Sequence, residues 1–221
     1  MHFPTLSPKS LVLSPTLILL ALLAGCNAVG AIAYKLGPPP RTPAKYKPAQ
    51  ELAVIVVENY RNPSASDVDS EQLARLIGDE LRNNKVVPLV AENAVQHLRD
   101  VDREKFRAMT IPAIGRAVGA KQVIYVDLVR SSMEVAVGES MVRGSMDATV
   151  RVVDATTGQT RWPSESQQGW PVSVQSPFTT VDEKASETAF RRKMHESMAL
   201  QVSHLFYDWL NDFEASDVGR N

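Results

Sequence analysis

The sequence predicts an α/β domain, a central mixed β-sheet with flanking helices and a long C-terminal helix, and three observations carry that prediction. Leu52-Ala53-Val54-Ile55-Val56-Val57 is an unbroken, largely β-branched run, the mark of a strand buried on both faces. Val142, Gly144, Met146, Ala148, Val150 and Val152 alternate with Arg143, Ser145, Asp147, Thr149 and Arg151, as in an antiparallel strand with one wet face. Met194, Met198, Val202, Leu205 and Trp209 follow at spacings of 4, 4, 3 and 4, a helical stripe with Phe190, Phe206 and Leu210 beside it.

The elements between these follow in order. Asn59 to Ser70 is rich in Asn, Pro, Ser and Asp and reads as a loop. A helix starts at Asp69 or Ser70, carries Leu73, Leu76, Ile77 and Leu81 at helical spacing and closes at Asn83-Asn84. Val86 to Val90 is expected to be a second strand. Glu92 to Leu98 then reads as a short helix, with Val95 and Leu98 inward, and charged Asp102 to Met109 as a helix or helical loop. Thr110 is placed to cap a further helix with Ile111, Ile114, Ala117 and Val118 inside, and Gly119 to stop it. Gln122 to Val129 is the third strand, with Met133 to Val137 continuing it past a bend at Arg130-Ser131-Ser132. Asp154-Ala155-Thr156-Thr157-Gly158 makes a turn into a return strand at Gln159 to Pro163, and Gly169 to Val174 adds a short pairing. The last helix is expected from about Asp182 to Phe213. Its stripe is read as core or subunit seam.

The start of the chain has a different character. Residues 1–10 are polar with Lys9 the only charge, Leu11 to Leu23 is apolar, and the stretch ends in Leu23-Ala24-Gly25-Cys26. Basic start, short hydrophobic segment and small residues at the cut are the layout of a secretory signal. Its lipoprotein version ends in cysteine. Cleavage is expected between Gly25 and Cys26, with Cys26 acylated. An uncleaved membrane helix is the alternative, but Leu11 to Gly25 is 15 residues, short of the roughly 20 that span a bilayer. Cys26 is the only cysteine, so no internal disulfide is possible, and lipidation would cap a thiol otherwise open to oxidation. Stable anchoring takes two or more acyl chains, which a diacylglyceryl cysteine with an acylated amine supplies. Asn27, not the Asp of the common inner-membrane retention signal, favours the outer membrane.

After the anchor, Gly37 to Pro48 holds five prolines in twelve residues, GPPPRTPAKYKP. Such composition favours an extended spacer; a docking motif for a proline-binding partner is the other reading. The expected organisation is therefore a signal peptide at 1–25, a lipidated, Pro-rich tether at 26–50, one α/β domain at 51–215 and a disordered tail at 216–221. Removing Lys9 with the signal leaves 23 Lys+Arg against 25 Asp+Glu, a balance of 23 − 25 = −2. That excludes the basic excess of a nucleic-acid binder.

The order β-α-β-α-α-β-β-β-α, from Glu51 to Trp162, resembles the lipoprotein α/β domain shared by the curli secretion channel lipoprotein, the penicillin-binding-protein activator lipoprotein of the LpoB type and the N-terminal domain of TolB. The residues that carry the resemblance are Ala53-Val54-Ile55-Val56-Val57-Glu58-Asn59 and Val86-Val87-Pro88-Leu89-Val90, with the Gly-Ala step of Gly119-Ala120-Lys121-Gln122-Val123-Ile124. Val152-Val153-Asp154-Ala155-Thr156-Thr157-Gly158-Gln159 is similar to the group's Val-Asp-x-x-x-Gly hairpin. Val57 and Glu58 stand where first strands of the group often carry Pro and Phe. The resemblance implies work by protein binding or ring assembly, hence a possible homo-oligomer, with no common catalytic residue. Ser132 to Val142 is too short for two spanning strands of about ten residues and a turn, which argues against a secretion pore.

No catalytic motif is present: no Gly-x-Ser-x-Gly, no phosphate-cradling loop and no His-Glu-x-x-His. His2 leaves with the signal, and His195 and His204, nine apart on a helix, lie on opposite faces. His97 stands alone. No metal or cofactor is expected. Asp127, polar in a buried strand, reads as a hydrogen-bonded structural carboxylate rather than a catalytic one. Trp162, Trp170 and Phe178, set among Pro163, Pro171 and Pro177, are candidate partner-binding residues; alternatively the tryptophans only cover one end of the sheet. The functional expectation is a membrane-anchored, periplasm-facing lipoprotein that binds an envelope protein in assembly or secretion. An accessory regulator or enzyme acting on peptidoglycan, and a small-ligand carrier, are the alternatives.

Overall fold

The computed structural model describes residues 41–59, 67–135, 141–166, 168–180 and 184–210. The compact unit Thr42–Trp209 holds the elements that matter here. In chain order they are β1 (Arg41–Thr42), β2 (Ala53–Glu58), α1 (Asp67–Asn83), α2 (Ala94–Val101), α3 (Arg103–Arg107), α4 (Ile111–Ala117), β3 (Gln122–Val135), β4 (Met141–Asp154), β5 (Thr160–Trp162), β6 (Trp170–Gln175), β7 (Thr179–Thr180), α5 (Lys184–Ser203) and β8 (Trp209–Leu210).

The main sheet is mixed, as the sequence predicts. β2 runs parallel to β3, Ala53 beside Gln122 through Glu58 beside Asp127. β3 and β4 form a long antiparallel pair from Gln122–Asp154 to Val135–Val142. The far edge of β4 is shared in succession by β5, β6 and β7. The expected bend in β3 is a β-bulge between Leu128 and Arg130. The strand therefore passes through Arg130-Ser131-Ser132 without breaking.

Period-two alternation sorts the side chains into two cores. Ile124, Val126, Met146, Ala148, Val150 and Val152 pack under Leu73, Ile77 and Leu81 of α1 and Met198 and Val202 of α5. On the other face Val54, Val56, Val123 and Tyr125 meet Phe106 of α3 and Ile114 of α4. The inward set read from 142–152 is buried throughout. Asp154 accepts from the Thr156 and Thr157 N–H groups at 2.8 Å each and closes the β4–β5 turn, with Gly158 at φ 77°. The Thr157 N–H and then the Arg161 guanidinium hold the Asp154 carboxyl well below the usual carboxylate range.

The structure corrects several boundaries. The last helix ends at Ser203, not near Phe213. After it the Leu205 and Phe206 N–H groups bond back only three residues, to Val202 and Ser203, tightening the chain into turns. Phe206 then buries its ring against the edge of Trp162, and the Leu205 carbonyl accepts from the Tyr46 N–H. Trp209 leaves the stripe for β8. Val86 to Val90 is not a ladder strand: among the described residues its one bridge sets Leu89 beside Ala53, and the chain then turns into α2. α1 begins at Asp67, so Asp69 and Ser70 lie inside it rather than capping it. Thr110 does stand at the cap of α4, but its side chain makes no capping bond.

Half of the expected spacer lies on the domain. The Ala44 N–H donates to Asp208 Oδ1 at 3.0 Å, Lys47 Nζ meets Asp208 Oδ2 at 3.2 Å, and the Tyr46 N–H reaches Leu205 at 2.9 Å. An extended Pro-rich segment has no internal hydrogen bonds, which leaves its amides free to bond outward.

His195, on α5, is buried with Nδ1 unbonded among the described residues. Burial lowers its pKa from the ordinary 6.5, Asp69 opposing and Arg191 adding to the shift. On acidification the unfolded chain therefore takes up this proton first, and stability falls as pH drops below 6.5. His195→Leu should flatten the fall, read from urea midpoints at about pH 7.5 and about pH 5.5; an unchanged slope would assign it to other groups.

Candidate partner-binding site

Trp162 closes β5 opposite Val152, and Trp170 opens β6 opposite Val150. Both indoles therefore stand on the same face of the sheet at its β4 edge, two residues apart along β4. They stack with centroids 5.5 Å apart and planes at 26°. Tyr46 also stacks on Trp162, at 5.7 Å and 20°, and Phe206 meets it edge-on at 6.0 Å. Lys45 Nζ lies 5.9 Å from the Trp170 ring centroid.

The result is a layered ledge anchored below and open above. Phe206 is buried, Trp162 and Tyr46 are half-buried, and Trp170 is 36% exposed. Burial raises the Tyr46 hydroxyl pKa, Arg161 opposing and Glu51 adding, so the phenol is neutral at pH 7 and can donate. Arg161 holds the base of the ledge: it bonds Asp154 Oδ2 at 2.6 and 3.1 Å and Glu51 at 2.8 Å. Rigid aromatic rings with one face supported and another wet are the commonest anchors of protein contacts.

The candidate residues do not all meet. Trp162 and Trp170 form one patch. Phe178, 43% exposed, sits by the Val142–Thr179 pairing with the Arg143 guanidinium 4.8 Å over its ring. Eight residues of β4 separate the two places, roughly 25 Å along a strand. Lys45 and Tyr46 were hidden in a proline-rich segment that composition reads as spacer; the signal was a lone aromatic flanked by lysines. Gly25 and Cys26 lie outside the described residues.

The remaining polar candidates stand apart from the ledge. Asp127 is half-buried on β3, level with Glu58 of β2 and Thr149 of β4. His97 is exposed on α2, and His204 stacks on Trp209 at 4.0 Å. Among the described residues no three His, Cys, Asp or Glu side chains are grouped to hold a metal.

The family described as peptidoglycan-synthase activator LpoB matches residues 38–167, more than half of the 221-residue chain. No curated protein matches the chain. Among solved structures the chain is similar to the lipoprotein GNA1162 from Neisseria meningitidis, 12% identical with a TM-score of 0.42, covering 69% of this chain and 99% of that one. The PelC dodecamer from Paraburkholderia phytofirmans is 13% identical with a TM-score of 0.37, over 77% of this chain and 97% of that one. The rare lipoprotein B from Shewanella oneidensis is 9% identical with a TM-score of 0.33, over 76% and 97%.

Proposed function

This chain belongs to the peptidoglycan-synthase activator LpoB family, and from that premise we propose that it is a lipid-anchored, periplasm-facing factor that binds and activates a peptidoglycan synthase. The observation that carries the reading is the match over residues 38–167, which takes in Tyr46 and Trp162 of the aromatic ledge. In this reading Trp170 and Lys45 make the outer contact, and Tyr46, Trp162 and Phe206 hold them in place. The role is regulatory rather than enzymatic.

A photo-crosslinking residue at Lys45 tests this in intact envelopes. It should capture a peptidoglycan synthase, and Trp170→Ala should abolish capture without changing the thermal unfolding temperature. Capture of no synthase at native abundance would refute the reading.

The anchor is proposed at Cys26, in the outer membrane. A palmitate analogue should label the wild type and not Cys26→Ala; label on both would remove the anchor from the account. Assembly of several copies, which the resemblance implies, is also part of the proposal. Light scattering that finds a strict monomer would remove it.

A further inference from the structure

The proline-rich stretch ahead of β2 is docked in a way that allows it to come off. Its side chains alternate: Thr42, Ala44 and Tyr46 are half-buried and Pro48 is buried, while Pro43, Lys45 and Lys47 stand exposed. The segment that follows α5 receives it. The Tyr46 N–H donates to the Leu205 carbonyl at 2.9 Å, the Ala44 N–H donates to Asp208 Oδ1 at 3.0 Å, and at the far end β1 pairs with β8. The two segments thus run antiparallel: as one goes back from Tyr46 to Thr42, the other goes forward from Leu205 to Trp209. Lys47 Nζ adds a bond to Asp208 Oδ2 at 3.2 Å, so one carboxylate receives both a main-chain amide and an ammonium.

This docking has a definite inner end. From Ala49 onward the chain is tied to the sheet. Gln122, wholly buried, donates to the Ala49 and Glu51 carbonyls at 2.7 and 3.1 Å, and Gln50 donates to the Val86 carbonyl at 2.8 Å. Before Ala49 the contacts are shallower. The Lys47 and Asp208 side chains keep 71% and 40% of their exposure, and Tyr46 lays its ring on Trp162. Residues 42–48 can therefore lift away while Ala49, Gln50 and Glu51 keep β2 in place. Extended, they would span roughly 22 Å. They would take with them Tyr46, which stacks on Trp162, and Lys45, which lies over Trp170. The chain before Thr42 leads back to Cys26. A pull from that side loads the antiparallel docking at its end, where bonds break one after another rather than together.

We propose that residues 42–48 form a detachable clasp latched by Asp208, and that a partner is held at the aromatic ledge only while the clasp is closed, so that binding and extension of the tether exclude each other. The proposal rests on the ledge as the partner site, and Asp208 serves it as a positioning residue that acts through Lys45 and Tyr46. Closed, the clasp sets Lys45 beside Trp170 and supports Trp162 with Tyr46. Open, it adds reach and removes both. A partner that needs the closed form draws the clasp shut, and by linkage whatever opens the clasp weakens the partner.

Hydrogen exchange on the full chain in detergent micelles tests this at the Tyr46 amide, whose own bond is to Leu205 and not to Asp208. Asp208→Ala should speed exchange there about tenfold, because loss of the latch raises the population of the open clasp. Asp208→Asn still accepts from the Ala44 amide and should fall between. The Val56 and Val126 amides, in the sheet, should exchange as in the wild type. Adding the peptidoglycan synthase of the same organism should slow the Tyr46 amide in both wild type and Asp208→Ala. An unchanged Tyr46 amide in Asp208→Ala, or an equal speeding of the sheet amides, would overturn the clasp, and so would a synthase that binds without slowing Tyr46. A synthase that forms no complex refutes the ledge reading and the coupling with it; the latch is then decided by the variants alone.

Discussion

Phe206→Ala should lower the unfolding free energy by about 4 kcal/mol, the range for truncating a fully buried aromatic ring. Phe206 is 2% exposed and among the largest wholly buried side chains. It lies where the turn after α5 folds back onto the sheet, in the core formed with Val202 and Met198. Its neighbours are held by backbone bonds, Leu205 to Tyr46 among them, so the cavity cannot readily collapse. Against a typical total of about 5–15 kcal/mol such a loss is large. Trp162 loses its edge contact in the same step, so partner capture should weaken in parallel with stability. Phe206→Leu keeps most of the volume and should cost less than half as much. Urea unfolding of the three proteins measures this; equal midpoints for wild type and Phe206→Ala would show that the turn is not part of the core.

Arg99→Ala should cost about 3 kcal/mol, because removing one partner strands a buried ionic cluster. The Arg99 side chain is 6% exposed and donates to Glu58 at 2.9 Å and Glu71 at 3.4 Å. Its guanidinium lies 4.9 Å from the Phe106 ring centroid. It thereby ties α2 to the end of β2, to α1 and to α3. Glu58 and Glu71 keep 17% and 29% of their exposure, so water softens the loss, and the lower part of the usual range applies. Arg99→Lys should fall between, since one ammonium cannot span both carboxylates. A triple variant, Arg99→Met with Glu58→Gln and Glu71→Gln, should be more stable than Arg99→Met alone. If it is less stable, the stranded carboxylates are not the source of the cost.

Much of this was legible in the chain, for reasons that differ by element. β2, β3 and β4 announce themselves because a strand buried on one or both faces must place apolar residues at period two or without interruption. The Asp154–Gly158 turn was readable because one carboxylate satisfies two amides locally. The end of α5 was not, because Leu205 keeps helical spacing while Phe206 is drawn to a partner distant in sequence, Trp162. Val86 to Val90 looked like a strand because hydrophobicity reports burial, not pairing; Val86 and Val87 are buried, yet among the described residues the segment makes a single bridge, Leu89 to Ala53.

The ledge was half legible. Trp162 and Trp170 stood out as large aromatics near prolines, but stacking depends on their register against Val152 and Val150, which no local pattern encodes. The same register removed Phe178. Cys26 is the reverse case, readable from local motif alone.

The most direct test of the central claim is a reconstituted assay in which the purified lipidated chain, in detergent, is added to the peptidoglycan synthase of its own organism and glycan polymerisation is followed. The account predicts a severalfold higher rate, lost with Trp170→Ala at unchanged thermal stability. An unaltered rate, together with no complex at micromolar concentration, would contradict it.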